Sequence, residues 1–140
     1  MFDNILLPID LNHPESWEKA LPMAQKLAGE GGTIHVLGIV QDLGAALVAA
    51  YLPADYEKQA LNRMETDIEG FIAKHLAGAK ASPHVGHGHV PEAIISSAQK
   101  TGADVIVMAS HPPDDFRTFL VGSNADKVVH HSAIPVLVVR

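Results

Sequence analysis

The chain of 140 residues contains no cysteine. Disulfide bonds, thiolate chemistry and cysteine-based zinc sites are therefore excluded, and the composition fits a reducing compartment. No apolar run approaches the ~18 residues that a membrane span requires, and residues 1–7 lack the basic segment of a signal peptide. From these absences we expect a cytoplasmic protein that has no membrane partner.

Basic residues are also scarce, with 10 Lys and Arg against 16 Asp and Glu and a net charge of −6. This charge argues against nucleic acid as a partner, because a negative surface repels phosphates. Hydrophobic residues make up 47% of the chain and charged residues 19%, which is typical of a folded globular protein. The length predicts a single domain over residues 1–140.

Several catalytic motifs are missing as well. The sequence has neither a Gly-x4-Gly-Lys-[Ser/Thr] phosphate loop nor a Gly-x-Ser-x-Gly nucleophile turn. A Ser-Gly-Gly-x-Asp-Ser pyrophosphatase motif is absent after the first apolar run, where Asp10-Leu11-Asn12-His13 stands instead. Spacing indicates no His–carboxylate pair. We therefore predict no catalytic residues, and at most slow ATP hydrolysis or autophosphorylation.

Five short apolar runs alternate with helical patterns along the chain. The runs predict strands at 2–9, 33–40, 81–87, 105–109 and 135–139, with His35 as the polar exception in the second. The 3.6-residue periodicity predicts helices at 14–28, 54–76, 91–100 and 123–131, the last burying Ala125, Val128 and Val129. The alternation predicts an α/β fold of three α/β/α layers around a parallel sheet with right-handed crossovers.

The apolar run at 105–109 and the segment that follows it indicate an anion site. The run is apolar at every position, as expected for a strand buried on both faces. Gly122-Ser123-Asn124 then opens a helix, and helix N-termini direct backbone N–H groups at anions such as phosphate. In open parallel sheets, ligands bind outside the carboxyl ends of the strands. If strands one and four are neighbours, Asp10 and residues 108–111 line one crevice.

Four segments together resemble the universal stress protein family. They are residues 5–10, Gly88-x-x-Pro91, residues 122–129 and residues 136–140. The resemblance implies a five-stranded fold of adenine-nucleotide α-hydrolase type with strand order 3-2-1-4-5. It also implies a homodimer that binds ATP or AMP and responds to stress through a protein partner that the sequence does not name.

The family's ATP signature is Gly, two residues, Gly, nine residues and Gly-Ser or Gly-Thr. Here Ala109 and Pro112 occupy the first two glycine positions, whereas Gly122-Ser123 match the end. Pro112 has no N–H to donate to a phosphate oxygen, and the loss of one such donor lowers affinity roughly tenfold to a hundredfold. Two alternatives stay open: a nucleotide site that has lost one donor, and a nucleotide-free dimeric scaffold.

The resemblance implies a specific set of nucleotide-binding residues. These are Pro8, Ile9, Asp10, Val40, Met108, Ala109, Ser110, His111, Pro112, Gly122, Ser123 and Asn124. In this set Asp10 accepts from ribose hydroxyls or holds Mg²⁺ on the phosphates. The alternative reading of Asp10 is an aspartate that only caps a helix or stabilises a turn.

The nine histidines suggest a metal site only weakly. His84, His87 and His89 are close in sequence, but residues 84 and 87 of a strand face opposite sides. With no cysteine to complete it, this cluster is a poor zinc site.

The last apolar run predicts an interface between two copies of the chain. At the edge of the sheet it would expose unpaired backbone groups, and antiparallel pairing across a two-fold axis would cover them. The residues of this predicted interface are Pro135, Val136, Leu137, Val138 and Val139. Cover by a helix of the same chain is the alternative.

Overall fold

The structure is a computed structural model, and it describes residues 2–41, 54–110 and 124–140. Five strands and four α-helices alternate along these residues, with one short 3₁₀ helix after the first strand. In chain order they are β1 (Asn4–Pro8), the 3₁₀ helix (Pro14–Ser16), α1 (Ala20–Ala28), β2 (Thr33–Val40), α2 (Tyr56–His75), β3 (Ala81–His87), α3 (Val90–Thr101), β4 (Val105–Ala109), α4 (Ala125–His131) and β5 (Val136–Val139). Most of the predicted loop at 41–53 lies outside the described residues.

The five strands form one parallel sheet in the order β3-β2-β1-β4-β5, which confirms the predicted topology. Strand β1 lies at the centre, where Ile5 pairs with Ile34 of β2 and with Val105 of β4. Every residue of β4 is buried, because helices cover both faces of the sheet.

The alternating side chains of the strands form two separate hydrophobic layers. On one face, Ile5 and Leu7 pack with buried residues of α1 and α2. On the other face, Leu6 packs with buried residues of α3 and α4. The three-layer α/β/α architecture is therefore confirmed, and it follows from the two-residue period of side chains along a strand.

The first helix begins later than predicted. We expected it to start at Pro14, but Pro14–Ser16 forms a 3₁₀ turn and α1 starts at Ala20. The cause is Ser16, which is buried with 1% of its surface exposed. Its hydroxyl accepts from the Asp10 N–H at 2.8 Å and donates to the Asp10 carbonyl at 3.0 Å. These two bonds hold the turn against the end of β1.

The predicted burial of Val129 is wrong, because 48% of its surface is exposed. Helix α4 has seven residues and buries only Ala125 and Val128. These two residues are three positions apart and so share one face of the helix, whereas Val129 lies beside that face.

Asp104 joins the start of β4 to the start of β1. Its Oδ2 accepts from the N–H groups of Asp3 and Asn4, each at 2.9 Å, and its own N–H donates to the Asn4 carbonyl at 2.7 Å. The central strand pair is thereby held in register at its amino end. Across the described ranges, none of the helices has the length and apolar character needed to cross a membrane.

Candidate functional site

The ends of β1 and β4 meet at the carboxyl edge of the sheet, where the strand order reverses. Pairing of Ile5 with Val105 and of Leu6 with Ile106 brings residues 8–10 and 108–110 to the same edge. Backbone bonds continue past both strands, since the Ile9 N–H donates to Leu37 O and the Ser110 N–H donates to Val139 O, each at 2.9 Å. A fixed backbone edge of this kind is where ligands of open α/β sheets bind.

Asp10 is buried at this edge, with 8% of its surface exposed. Its Oδ1 accepts from the Asn12 N–H at 3.1 Å, and its Oδ2 lies 2.9 Å from Nδ1 of His13. These contacts hold the carboxylate against the turn after β1, and the two Ser16 bonds hold the backbone of Asp10 there. The imidazole of His13 is half-exposed, so the pair consists of a buried carboxylate that orients a more accessible ring.

This His–carboxylate pair was missed from the sequence. The signal was the Asp-x-x-His spacing of Asp10 and His13, which is interpretable only once a tight turn after β1 is known.

The pair also bears on the predicted Mg²⁺ contact. A carboxylate oxygen that accepts one hydrogen bond keeps a second lone pair, so the Mg²⁺ contact of Asp10 stays a prediction.

A cavity of about 580 Å³ opens at the carboxyl edge between the first turns of α3 and α4. It is lined by Gln41, Gly88, His89, Val90, Pro91, Glu92, Asn124 and Lys127. Gly88 shapes its floor, with a φ of 102° that favours glycine and an N–H that donates to Val40 O at 3.1 Å. Lys127 and His89 offer positive charge or N–H donors to the cavity, opposed by Glu92.

The structure brings eight of the twelve predicted binding residues to this carboxyl edge. They are Pro8, Ile9, Asp10, Val40, Met108, Ala109, Ser110 and Asn124. Only Asn124 among them lines the cavity. His111, Pro112, Gly122 and Ser123 lie outside the described residues.

Sequence reasoning missed Gln41, His89 and Lys127 as walls of the cavity. Gln41 and His89 could have been found, because each directly follows a predicted strand or its turn and so belongs to the carboxyl edge. Lys127 could not, since its position depends on how α4 packs beside α3.

The model of the universal stress protein family matches residues 1–140. The chain belongs to this family. Universal stress protein G of Escherichia coli O157:H7 is 33% identical over 147 residues, which cover 100% of both sequences. Membership of the family agrees with the resemblance found in the motifs of the sequence.

Two solved structures share the fold of this universal stress protein. That of MJ0577 from Methanocaldococcus jannaschii has a TM-score of 0.76 at 24% identity, covering 99% of this chain and 96% of that chain. That of the universal stress protein from Archaeoglobus fulgidus in complex with dAMP has a TM-score of 0.60 at 19% identity, covering 100% and 98%. At these identities both structures bear on the fold alone.

Proposed function

We propose that this universal stress protein binds an adenine nucleotide, ATP or AMP, at the carboxyl edge where β1 and β4 end. The observation that carries the proposal is the 580 Å³ cavity at this edge, which Lys127 and the first turn of α3 line. Its volume lies in the range of small-molecule sites. The dAMP complex of the Archaeoglobus fulgidus relative supports the same ligand class.

In this proposal, both Lys127 and the backbone N–H groups of the first turn of α3 bind phosphates. The N–H groups of a helix's first turn have no intrahelical partner and favour anions. Pro91 has no N–H, so Val90 and Glu92 supply the donors of that turn. Lys127 adds a positive charge. Asp10 and His13 lie at the end of β1, on the side of the crevice where the proposal places the ribose.

Isothermal titration of adenosine, AMP and ATP, with and without Mg²⁺, tests this proposal. We expect saturable micromolar binding of AMP and ATP to the wild-type protein. The Lys127→Gln variant should weaken ATP binding by about tenfold, because one charge-assisted hydrogen bond is lost. Adenosine, which has no phosphate, should bind both proteins equally.

Lys74→Gln is the matched control, because Lys74 is an exposed lysine in the last turn of α2, remote from the cavity lining. It should leave all three affinities unchanged. No heat from wild-type protein at millimolar nucleotide would overturn the proposal in favour of a nucleotide-free scaffold. Equal losses in Lys127→Gln and Lys74→Gln would place the phosphates elsewhere.

The proposed form of the protein is a cytoplasmic homodimer that presents a nucleotide-dependent surface to a protein partner under stress. Strand β5 is an edge strand, and all four of its residues are half-buried. The carbonyl of Pro135 accepts from the Ile106 N–H of β4 at 3.0 Å, and the carbonyl of Val139 accepts from the Ser110 N–H, just after β4, at 2.9 Å. Because backbone groups alternate along a strand, the N–H and carbonyl of Val138 point away from β4, to the side on which a partner strand would pair.

Val138→Pro therefore removes an outward donor while leaving the bonds to β4 intact, and proline is tolerated on edge strands. We expect wild-type protein to sediment as a dimer at micromolar concentrations. Val138→Pro should raise the dimer dissociation constant by at least about tenfold, whereas Val138→Thr, which keeps the N–H, should not. A monomeric wild-type protein, or a Val138→Pro variant that remains dimeric, would contradict an interface through β5.

A further inference from the structure

A second groove runs along the outer edge of the sheet, beside β3 and α3. Its volume is about 420 Å³. Its polar lining includes His84, His87, Glu92, Ser96, Ser97 and Lys100. Glu92 lines both this groove and the larger cavity, and the other described residues that line the two are different.

A pair of histidines from neighbouring strands stands at the inner wall of the groove. Nδ1 of His35 lies 2.8 Å from Nε2 of His84, and Nε2 of His35 lies 3.0 Å from Oδ1 of Asn4. The three side chains form one hydrogen-bonded row across β1, β2 and β3. His84 is the member that lines the groove.

The row determines where each ring carries its proton. Asn4 Oδ1 can only accept, so His35 carries its proton on Nε2 and accepts on Nδ1. His84 must then donate from Nε2, which leaves the lone pair on its Nδ1. A single proton added at Nδ1 of His84 makes an imidazolium that keeps its bond to His35. A second proton would place two N–H groups face to face and break the pair.

The other polar groups of the groove favour an anion over a metal cation. Helix α3 contributes the ammonium of Lys100 and the hydroxyls of Ser96 and Ser97, opposed by the carboxylate of Glu92 and by the carbonyl groups of the last turn of the helix. The Thr101 hydroxyl is already bonded to Ser97 O. Among the described residues, no three His, Asp or Glu side chains are grouped as a metal site would need.

Further charged and titratable groups lie around the groove on the surrounding elements. Strand β3 contributes His87, whose Nδ1 lies 3.6 Å from Glu57 Oε1 of α2. Helix α3 contributes Glu92 and Lys100, and β1 contributes only the neutral Asn4. A dianion in the groove would meet the ammonium of Lys100, and a proton taken up by His84 would add a further positive charge.

We propose that the groove beside β3 binds a small oxyanion of the phosphate type, and that His84 takes up one proton when the anion binds. Lys100 and the serine hydroxyls donate to the anion, and Nδ1 of His84 becomes a further donor. His35 and Asn4 hold the ring of His84 in place. The site is separate from the nucleotide crevice and does not depend on nucleotide binding there.

The titration behaviour of the pair agrees with this assignment. Burial lowers the pKa of His84, and burial together with the neighbouring His84 lowers the pKa of His35. Without an anion both rings are therefore neutral at physiological pH. An anion that stabilises the imidazolium raises the pKa of His84, so binding and protonation are linked.

Sulfate is the probe for the test, because it does not titrate in the range where histidine does. Histidine ring resonances are followed by NMR during sulfate titrations of the full chain, between about pH 8 and pH 6. We expect saturable shifts of His84 and a dissociation constant at least about fivefold lower at the acidic end. The Lys100→Gln variant should raise that constant about tenfold, while Lys74→Gln leaves it unchanged.

His84→Gln should remove the pH dependence of sulfate binding, and Lys100→Gln tests the site even if that variant fails to fold. The proposal is overturned if sulfate leaves His84 unperturbed or binds equally at both pH values. It is also overturned if only Zn²⁺ perturbs the ring, which would indicate a metal site. Loss of sulfate binding in Lys127→Gln but not in Lys100→Gln would show that the anion belongs to the nucleotide crevice instead.

Discussion

Gly32→Ala is expected to lower the free energy of unfolding by about 2–3 kcal/mol, the range of severe overpacking. A Cβ at residue 32 would lie 2.6 Å from the Phe2 carbonyl oxygen, and 2.7 and 2.9 Å from O and Cα of Ala28. All three are backbone atoms, which cannot move aside as a flexible side chain does. The Gly32 N–H also donates to Ala28 O at 3.0 Å, which holds the residue in this position.

The neighbouring Gly31 provides a matched control. A Cβ there would meet nothing within 4 Å, so Gly31→Ala should leave the stability unchanged or raise it by up to about 1 kcal/mol through the unfolded state. Urea unfolding of both variants measures the difference. Equal midpoints for the two variants would mean that the turn between α1 and β2 adjusts freely, contrary to this close packing.

The second large effect concerns the pH dependence of stability. Burial lowers the pKa of both His35 and His84 in the folded state, so the unfolded chain binds more protons at acidic pH. The contribution of the pair to stability is therefore fully present above the unfolded pKa, about 6.5. It is lost as the pH falls through the lower folded pKa values.

Variants of the pair isolate this contribution. His35→Leu leaves His84 and Asn4 without their partner and should cost about 1–2 kcal/mol at neutral pH, after a discount for partial exposure. In the double variant His35→Leu and His84→Leu, that cost should be partly recovered and the acid-dependent loss reduced. Urea unfolding across the pH range measures both. A wild-type curve parallel to that of the double variant at every pH would rule out the pair as the source.

Much of the fold could be predicted, because its elements have local causes. A strand buried on both faces must be apolar at every position, which made residues 105–109 recognisable. The start of the first helix was wrong because Ser16 bonds to Asp10, six residues earlier. No local sequence pattern predicts that contact. The predicted burial of Val129 was wrong because the seven-residue helix α4 buries only a narrow face.

The candidate site was predictable in location and less so in composition. Parallel strands end at the same edge, so the meeting of Asp10 and Ala109 at the carboxyl edge followed once the strands were known, although neither residue lines the cavity. The Asp10–His13 pair could be predicted only with the tight turn after β1 known. That Lys127 lines the cavity could be predicted only with the packing of α4 beside α3 known. The His35–His84 pair joins residues 49 positions apart, and it needs the β2–β3 register in which His84 pairs with Leu37.

The sequence by itself determined the α/β class, the strand order through its family motifs, and the edge at which a ligand is expected. Each of these depends on hydrophobic periodicity or on a contiguous motif, which short-range steric and solvation effects control. Tertiary structure alone decided which polar side chains meet, as with His35 and His84, or with Asp10 and Ser16. Those contacts depend on register and helix packing, which the whole core determines because burial energies are summed over many residues.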